Sequence, residues 1–289
     1  MSFITKINLA MSLVFIIGIS IAGYIANIIL QENAKREVIA QASMMMEGAL
    51  AVRNYTITEI RPLLKKQSQH TFLPQTVPSY AATQNFNQLR KSHPEFMYKE
   101  ATLNPTNPRD RATDWESDII QQFRNSQDIK EIIGERITPT GPSLYLARPI
   151  QINDPNCLVC HSSLDNAPKP MKVLYGSANG YGWKLNEIVG SQIVSVPLSV
   201  PLKNANYVFN VFIFSLLSIF IVIFVIINIL LRFFVIRPVH KITVIADEIS
   251  KGGFSAEQFK SKGNDDIAKL GQSFNRMRRS LEKAMEMLK

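Results

Sequence analysis

The sequence predicts an α+β domain that is carried on two apolar helices and followed by a helical C-terminal module. Two blocks without charged residues, at 7–31 and 207–231, predict the apolar helices. A helical repeat and then strand-like segments lie between the blocks, and a heptad-like pattern follows the second one. The 289 residues therefore divide into a first membrane helix (1–31), an outer domain (32–206), a second membrane helix (207–234) and a C-terminal module (235–289).

Each apolar block is long enough to cross the roughly 30 Å hydrocarbon layer as a helix of about 20 residues. A cleaved signal peptide is the alternative for the first block, but the apolar core of such a peptide has only about 7 to 15 residues. This block is longer and continues helically past Glu32, so an uncleaved helix is favoured. Residues 232–289 carry 12 basic against 7 acidic residues, whereas residues 32–206 carry 19 against 16. The basic excess predicts a cytoplasmic C-terminal module and an extracytoplasmic domain.

The outer domain begins with a helical repeat and continues with strands. The repeat runs to Arg61, just before Pro62, and its apolar or small residues are spaced by three or four positions: Val38, Ala42, Met45, Ala49, Val52 and Thr56. It extends the first apolar helix outward as a stalk. Strand-like segments follow at 96–103, 144–150 and 188–198.

The only two cysteines lie in the run Cys157-Leu158-Val159-Cys160-His161. This spacing is the attachment signature of a c-type haem, in which both thiols form thioethers and the histidine ligates the iron. A zinc site would need about four ligands, and the chain has no second C-x-x-C. A redox C-x-x-C normally opens a helix after a strand, whereas this one follows a turn-rich stretch. We therefore predict one covalent haem c on Cys157 and Cys160, with His161 as proximal ligand.

Haem attachment agrees with the orientation that the charges predict, because cytochrome c maturation takes place on the far side of an energy-transducing membrane. We expect a multi-pass protein of a bacterial inner membrane or a thylakoid membrane. Basic residues near anionic membrane lipid explain part of the net charge of +9, so no nucleic-acid partner is expected.

Six segments resemble the Tll-type c-type haem domain family, over nearly all of residues 35–200. They are 52–56, 60–64, 100–107, 147–150, 157–161 and 181–183. The run Asn104-Pro105-Thr106-Asn107 makes the resemblance more specific than the haem motif alone. It implies a PAS-like sensor domain that carries one covalently attached haem.

In a relative within this family, a cysteine of the N-terminal helix is the sixth iron ligand. Both cysteines here are used for attachment, but the same region holds Met44-Met45-Met46, and methionine commonly partners histidine in c-type haem. Met45 or Met46 is therefore the predicted distal ligand. The alternative role for these methionines is to fill space in the core. An open sixth site is the main competing prediction, ahead of His70 and His93.

Buried haem propionates need cationic or hydrogen-bonding partners. Arg53 on the stalk and Arg148 before the motif are the predicted contacts, and surface ion pairs are the alternative role for both. Tyr55 and Trp183 are expected to pack in the core.

A different module opens at Arg237-Pro238-Val239. Its first helix has heptad-like spacing up to Lys251-Gly252-Gly253, and its second runs from Asp265 to Leu288. The proline, the glycines, the acidic pair 265–266 and the segment 273–277 resemble a HAMP domain. Two such helices cannot bury their apolar faces alone, so a parallel homodimeric four-helix bundle is expected.

Together these features predict a membrane sensor in which haem redox state, or a bound diatomic gas, shifts the stalk and thereby the HAMP bundle. The output is expected on a separate partner chain such as a kinase or cyclase, unless the sequence continues beyond Lys289. A membrane-anchored mono-haem electron-transfer cytochrome with a redox partner is the alternative, but it would not need a HAMP-like unit. No general base, second metal or substrate motif occurs, so no enzymatic activity is predicted.

Overall fold

A computed structural model describes residues 3–126, 128–139, 141–253, 258–260, 263 and 265–287, so the predicted helix end at Leu288 lies outside the described residues. In chain order the helices and strands are α1 (Phe3–Tyr55), α2 (Arg61–Leu63), α3 (Pro78–Leu89), β1 (Met97–Thr102), α4 (Asp114–Asn125), β2 (Ile132–Thr138), β3 (Gly141–Gln151), α5 (Leu158–His161), α6 (Lys169–Tyr175), β4 (Ile188–Pro197), α7 (Ser199–Leu231), α8 (Arg237–Ser250) and α9 (Asp266–Met287). The chain forms two compact units, one of Ile25–Phe209 and one of Met1–Tyr24 with Asn210–Lys289.

The Ile25–Phe209 unit is built on a four-stranded antiparallel sheet with strand order β1-β4-β3-β2. Strands β1, β3 and β4 are the three that the sequence predicts, and the α+β class is confirmed. Since side chains alternate along a strand, the sheet offers two faces to helices. Helices α1 and α3 pack on one face, and α4 packs on the other.

The face under α1 and α3 forms the larger hydrophobic core. Small or flexible residues of α1 let the helix lie close to the aliphatic side chains of the sheet. The buried members of this core are Val38, Ala42, Met46, Ala49, Ala82, Phe86, Tyr98, Leu144, Leu146, Val194, Val196 and Leu198. Val38, Ala42 and Ala49 follow the helical repeat that the sequence predicts, but Met46 is buried in place of the predicted Met45. Met45 and Val52 are only partly buried against this core.

The sequence predicts that the first helix ends before Pro62. In the structure it instead continues to Leu63 through a π-helical turn at Thr56–Ile60. Proline lacks an N–H, and in an α-helix its ring clashes with the carbonyl four residues earlier. The wider π turn, placed immediately before Arg61-Pro62, accommodates this ring. The same device recurs at Arg232–Ile236, immediately before Arg237-Pro238, so helix continues from Ser199 to Ser250.

The other unit contains the apolar parts of α1 and α7 together with α8 and α9. Among the residues that the structure describes, two helices are long and apolar enough to cross a membrane, Phe3–Leu63 and Ser199–Ser250. Within this unit Phe15 stacks on Phe220, with ring centroids 4.7 Å apart. Helices α8 and α9 enclose a small cluster of three buried residues, Ile242, Ile249 and Phe274.

Candidate haem site

The two cysteines lie on one short turn of chain that is shaped before the helix begins. The Asp154 carboxylate accepts a hydrogen bond from the Asn156 N–H at 2.9 Å, which starts a 3₁₀ turn at Pro155–Cys157 that leads into α5. Both thiols are free and half-buried. Burial raises the pKa of both, and the positive charge of Arg61 opposes this rise. Burial therefore favours the neutral form of both thiols, which lie three residues apart on this turn.

His161 is held so that only one of its ring nitrogens can ligate a metal. Its Nδ1 lies 2.7 Å from the carbonyl oxygen of Gly180, and because a carbonyl can only accept, Nδ1 must carry the proton. Burial lowers the pKa of His161, against a smaller opposing effect of the Gly180 carbonyl. The ring is therefore neutral, with its lone pair on Nε2, and this is the state in which imidazole binds iron.

Residues 176–183, here called the strap, cover the back of this histidine. The indole of Trp183 stacks on the His161 ring with centroids 4.0 Å apart and an interplanar angle of 11°. The backbone N–H of Trp183 donates to the His161 carbonyl at 3.1 Å, and that of Gly182 donates to the Ser162 carbonyl at 3.1 Å. Trp183 therefore packs against the predicted ligand itself.

The strap is in turn held by the loop that follows β1. The Asn104 side chain accepts from the Gly180 N–H at 3.1 Å and donates to the Tyr181 carbonyl at 3.0 Å. Gly180 adopts a positive φ of 88°, and a Cβ at this position would collide with Thr106. The two segments therefore meet where only glycine fits.

On the stalk side, Arg53, which is partly exposed, forms an ion pair with the buried Glu100 of β1. The Tyr98 hydroxyl donates to the same carboxylate at 2.7 Å, and the Gln192 amide donates to that hydroxyl at 3.3 Å. Burial and the Glu100 charge raise the pKa of Tyr98. Although burial alone would lower the pKa of Arg53, Glu100 and Tyr98 raise it overall. Glu100, Tyr98 and Gln192 therefore form a hydrogen-bonded cluster that neutralises the permanent charge of the Arg53 guanidinium.

Arg53 and Arg61 are the stalk residues whose charges act on Cys157. Arg148 instead bonds Glu47 at 2.6 Å and Glu131 at 2.8 Å. Both predicted propionate contacts thus have carboxylate partners within the protein, and their role toward a haem stays a prediction.

The predicted distal ligands lie on α1, nearer to its N-terminus than Arg53. Met46 is fully buried in the core between α1 and the sheet, Met45 is half-buried against that core, and Met44 is 76% exposed. Arg53 is seven residues beyond Met46, which is about 10 Å along a helix that rises 1.5 Å per residue. Ligation by Met45 or Met46 stays a prediction, and for Met46 it requires withdrawal from this core.

The prediction that Tyr55 packs in the core is wrong. Its side chain is 57% exposed rather than in the core. It follows Ala42, Met46 and Ala49 along the chain but lies about 100° around the helix from the buried Thr56, because consecutive residues are spread by 3.6 per turn. The buried stripe of α1 therefore passes beside it.

The donor set fits a c-type haem better than a metal bound directly by the protein. Among the residues that the structure describes, no three or more His, Cys, Asp or Glu side chains converge to hold a metal ion. Cys157 and Cys160 with a neutral His161 whose Nε2 is available are the groups needed for two thioethers and one axial bond. If a haem is present, these three residues would hold it.

The fold and the site together define a class, an α+β domain with a C-x-x-C-H motif that is followed by a helical pair. A model of the Tll0287-like family matches residues 31–197, which is more than half of the chain, and the protein belongs to this family. A HAMP domain model matches residues 230–283. Both families that the sequence resembles are thereby confirmed.

One solved structure, entitled "Crystal structure of the cyanobacterial heme-protein Tll0287", is similar at 16% sequence identity with a TM-score of 0.44. The match covers 56% of this chain and 95% of that chain. The comparison with curated proteins gave no match.

Proposed function

We propose that the protein is a membrane-bound haem sensor in which one covalent haem, on Cys157 and Cys160 with His161 as proximal ligand, sets the state of the HAMP domain. The observation that carries this proposal is the fixed, neutral His161, whose Nδ1–H is bonded to Gly180. A structural histidine would not need two free thiols beside it. Membership of a family that includes a cyanobacterial heme-protein supports the same cofactor.

The proposed topology places 32–206 outside the membrane and 235–289 in the cytoplasm. The charge asymmetry of the sequence and the two apolar helices support it. Residues 1–31 and 207–234 are the proposed membrane segments, in a bacterial inner or thylakoid membrane. The apolar positions that α9 leaves exposed, Met277, Leu281 and Met285, support a HAMP homodimer, because a second copy would bury them.

The proposed route from site to membrane runs through α1. A bound haem supplies a one-electron redox change or a coordination position for a diatomic gas. Arg53 is close enough to act on the Cys157 thiol, and its pair with Glu100 ties α1 to β1. A change of charge beside Cys157 would therefore change the electrostatic interaction between Arg53 and Glu100, and with it the contact of α1 with β1. Met45 or Met46, as the proposed distal ligand, would add a second link to the same helix. The output partner, a kinase or cyclase, would follow the HAMP bundle.

Haem attachment is tested by expressing the full chain with a c-type maturation system. The double variant Cys157→Ala/Cys160→Ala is expected to lose all haem that survives denaturing electrophoresis. Val159→Ala, which changes an exposed residue between the thiols, is the matched control and keeps the haem. Wild-type protein without covalent haem under these conditions contradicts the proposal.

The distal ligand is tested by absorption spectra of Met45→Ala and Met46→Ala. Loss of the charge-transfer band of methionine-ligated ferric haem in one variant identifies the ligand. Rapid carbon monoxide binding by the wild type instead supports an open site and gas sensing.

Signalling is tested by bismaleimide crosslinking of Leu281→Cys on α9 in membranes, with the haem oxidised, reduced and gas-bound. The dimer yield is expected to change with haem state, and the exposed Lys283→Cys serves as a geometric control. The same yield in all three states for both positions contradicts the sensor and leaves the electron-transfer cytochrome.

A further inference from the structure

The Asn104 side chain bonds backbone groups of two consecutive residues of the strap, Gly180 and Tyr181. Its amide oxygen accepts from the Gly180 N–H at 3.1 Å, and its amide nitrogen donates to the Tyr181 carbonyl at 3.0 Å. A backbone N–H requires an acceptor and a carbonyl requires a donor, so these partners fix which end of the amide is which. The side chain therefore holds the peptide groups on both sides of the one that joins Gly180 to Tyr181, and so fixes the position of the peptide group between them.

The peptide group that lies between these two bonds is the partner of His161. Its carbonyl oxygen lies 2.7 Å from His161 Nδ1, whereas the second neighbour of that nitrogen, Thr106 Oγ1, lies at 3.5 Å. Asn104 holds the N–H side of residue 180, and His161 binds its C=O side. Movement of the glycine thus changes the His161 hydrogen bond directly.

A hydrogen bond to the far nitrogen of a ligating imidazole controls the metal that it binds. A shorter Nδ1–H···O=C bond gives the ring more imidazolate character, which makes Nε2 a stronger donor and favours the oxidised metal. Loss of such outer partners typically changes metal affinity or activity about 10- to 100-fold.

We propose that Asn104 is a positioning residue that fixes the Gly180 carbonyl against His161 and thereby tunes the redox equilibrium of the haem. This inference rests on the proposed function, because it presupposes haem on His161. It assigns a chemical task to the Asn104-Pro105-Thr106-Asn107 run, 53 residues before the first attachment cysteine in the sequence. Thr106 completes the arrangement by filling the space that a Cβ on Gly180 would occupy.

The test compares Asn104→Ala with Asn107→Ala in full-length, haem-loaded protein in detergent. Asn107 belongs to the same loop, but its side chain accepts from the Arg109 N–H at 3.2 Å rather than from the strap. Spectroelectrochemistry measures the ratio of oxidised to reduced haem at fixed potential. Asn104→Ala is expected to shift this ratio about tenfold toward the reduced form, equivalent to about 59 mV for a one-electron couple, and Asn107→Ala is expected to match the wild type.

Hydrogen exchange of residues 176–183 gives a second measurement that does not need haem. Faster exchange in Asn104→Ala than in Asn107→Ala supports the role of Asn104 in holding the strap by hydrogen bonds, and equal exchange overturns it. A haem-loaded Asn104→Ala protein with the wild-type redox ratio also overturns the inference, even if it is less stable. Wild-type protein that carries no haem refutes the proposed function instead, and the exchange result then decides the role of Asn104.

Discussion

The haem domain and the HAMP region differ in how much core each encloses for itself. The domain has two clusters, with twelve and seven buried residues, on opposite faces of one sheet. Among the described residues of α8 and α9 the cluster has three, and the apolar Met277, Leu281 and Met285 of α9 stay about half exposed. The domain thus resembles a self-sufficient fold, whereas the HAMP pair leaves apolar surface exposed, which the proposed second copy would cover.

The largest expected contrast comes from the same truncation in each core. Phe123→Ala empties a fully buried position under the sheet and is expected to cost about 3–5 kcal/mol of unfolding free energy. Phe274→Ala in the small HAMP cluster is expected to cost about 2 kcal/mol and to weaken dimer crosslinking. Denaturant unfolding followed by tryptophan fluorescence separates them, because both tryptophans, Trp115 and Trp183, lie in the haem domain. Equal shifts of the fluorescence transition by both variants would mean that the two cores are not independent.

A second contrast concerns buried charge. Glu100→Gln leaves the guanidinium of Arg53 without its carboxylate partner inside the domain, which is expected to cost about 3 kcal/mol. Glu131→Gln is the matched control, since its pair with Arg148 is partly exposed and is worth about 0–1 kcal/mol. The same fluorescence transition measures both variants. If both variants lower the unfolding free energy by the same small amount, the ion pair between Arg53 and Glu100 does not stabilise the core.

The smallest expected effect tests the linker of the HAMP region. Asn275 of α9 donates to the Phe259 carbonyl at 2.8 Å and accepts from its N–H at 3.2 Å. Asn275→Ala is expected to cost about 1 kcal/mol locally and to reduce α9 crosslinking without moving the tryptophan transition. Gln272→Ala, at an exposed neighbouring position, should leave both measurements unchanged. A shifted tryptophan transition would contradict the separation of the two cores.

Features with strong local signals were predictable from the sequence. The apolar blocks, three strands and the C-x-x-C-H run each depend on neighbours within a few residues. Helix α4 was also predictable, because Thr113 and Glu116 form a capping box before an amphipathic segment, but it was not predicted. Strand β2 carried little signal, because Gly134, Glu135 and Arg136 interrupt its isoleucines. Its glycine is explained only by the Tyr145 ring of β3, which occupies the space of a Cβ.

The surroundings of the site depend on contacts between distant parts of the chain. Asn104 and Gly180 are 76 residues apart, and Arg53 and Glu100 are 47 apart. No periodicity reports such pairs, so the sequence indicated the thiols and the histidine but not what orients them. Gly180 was an available hint, because glycine is the default residue where the backbone adopts a positive φ or approaches another group closely.

The two π turns have a consequence for how the helices are phased. A π turn inserts one extra residue, so every side chain beyond it points about 100° away from its place in an uninterrupted α-helix. At Arg232–Ile236 this offset separates the face that α7 presents from the face that α8 presents. Deleting one of these five residues would turn α8 by the same angle. The rotation of the HAMP helices about their axes therefore depends on the number of residues in this turn as well as on their identity.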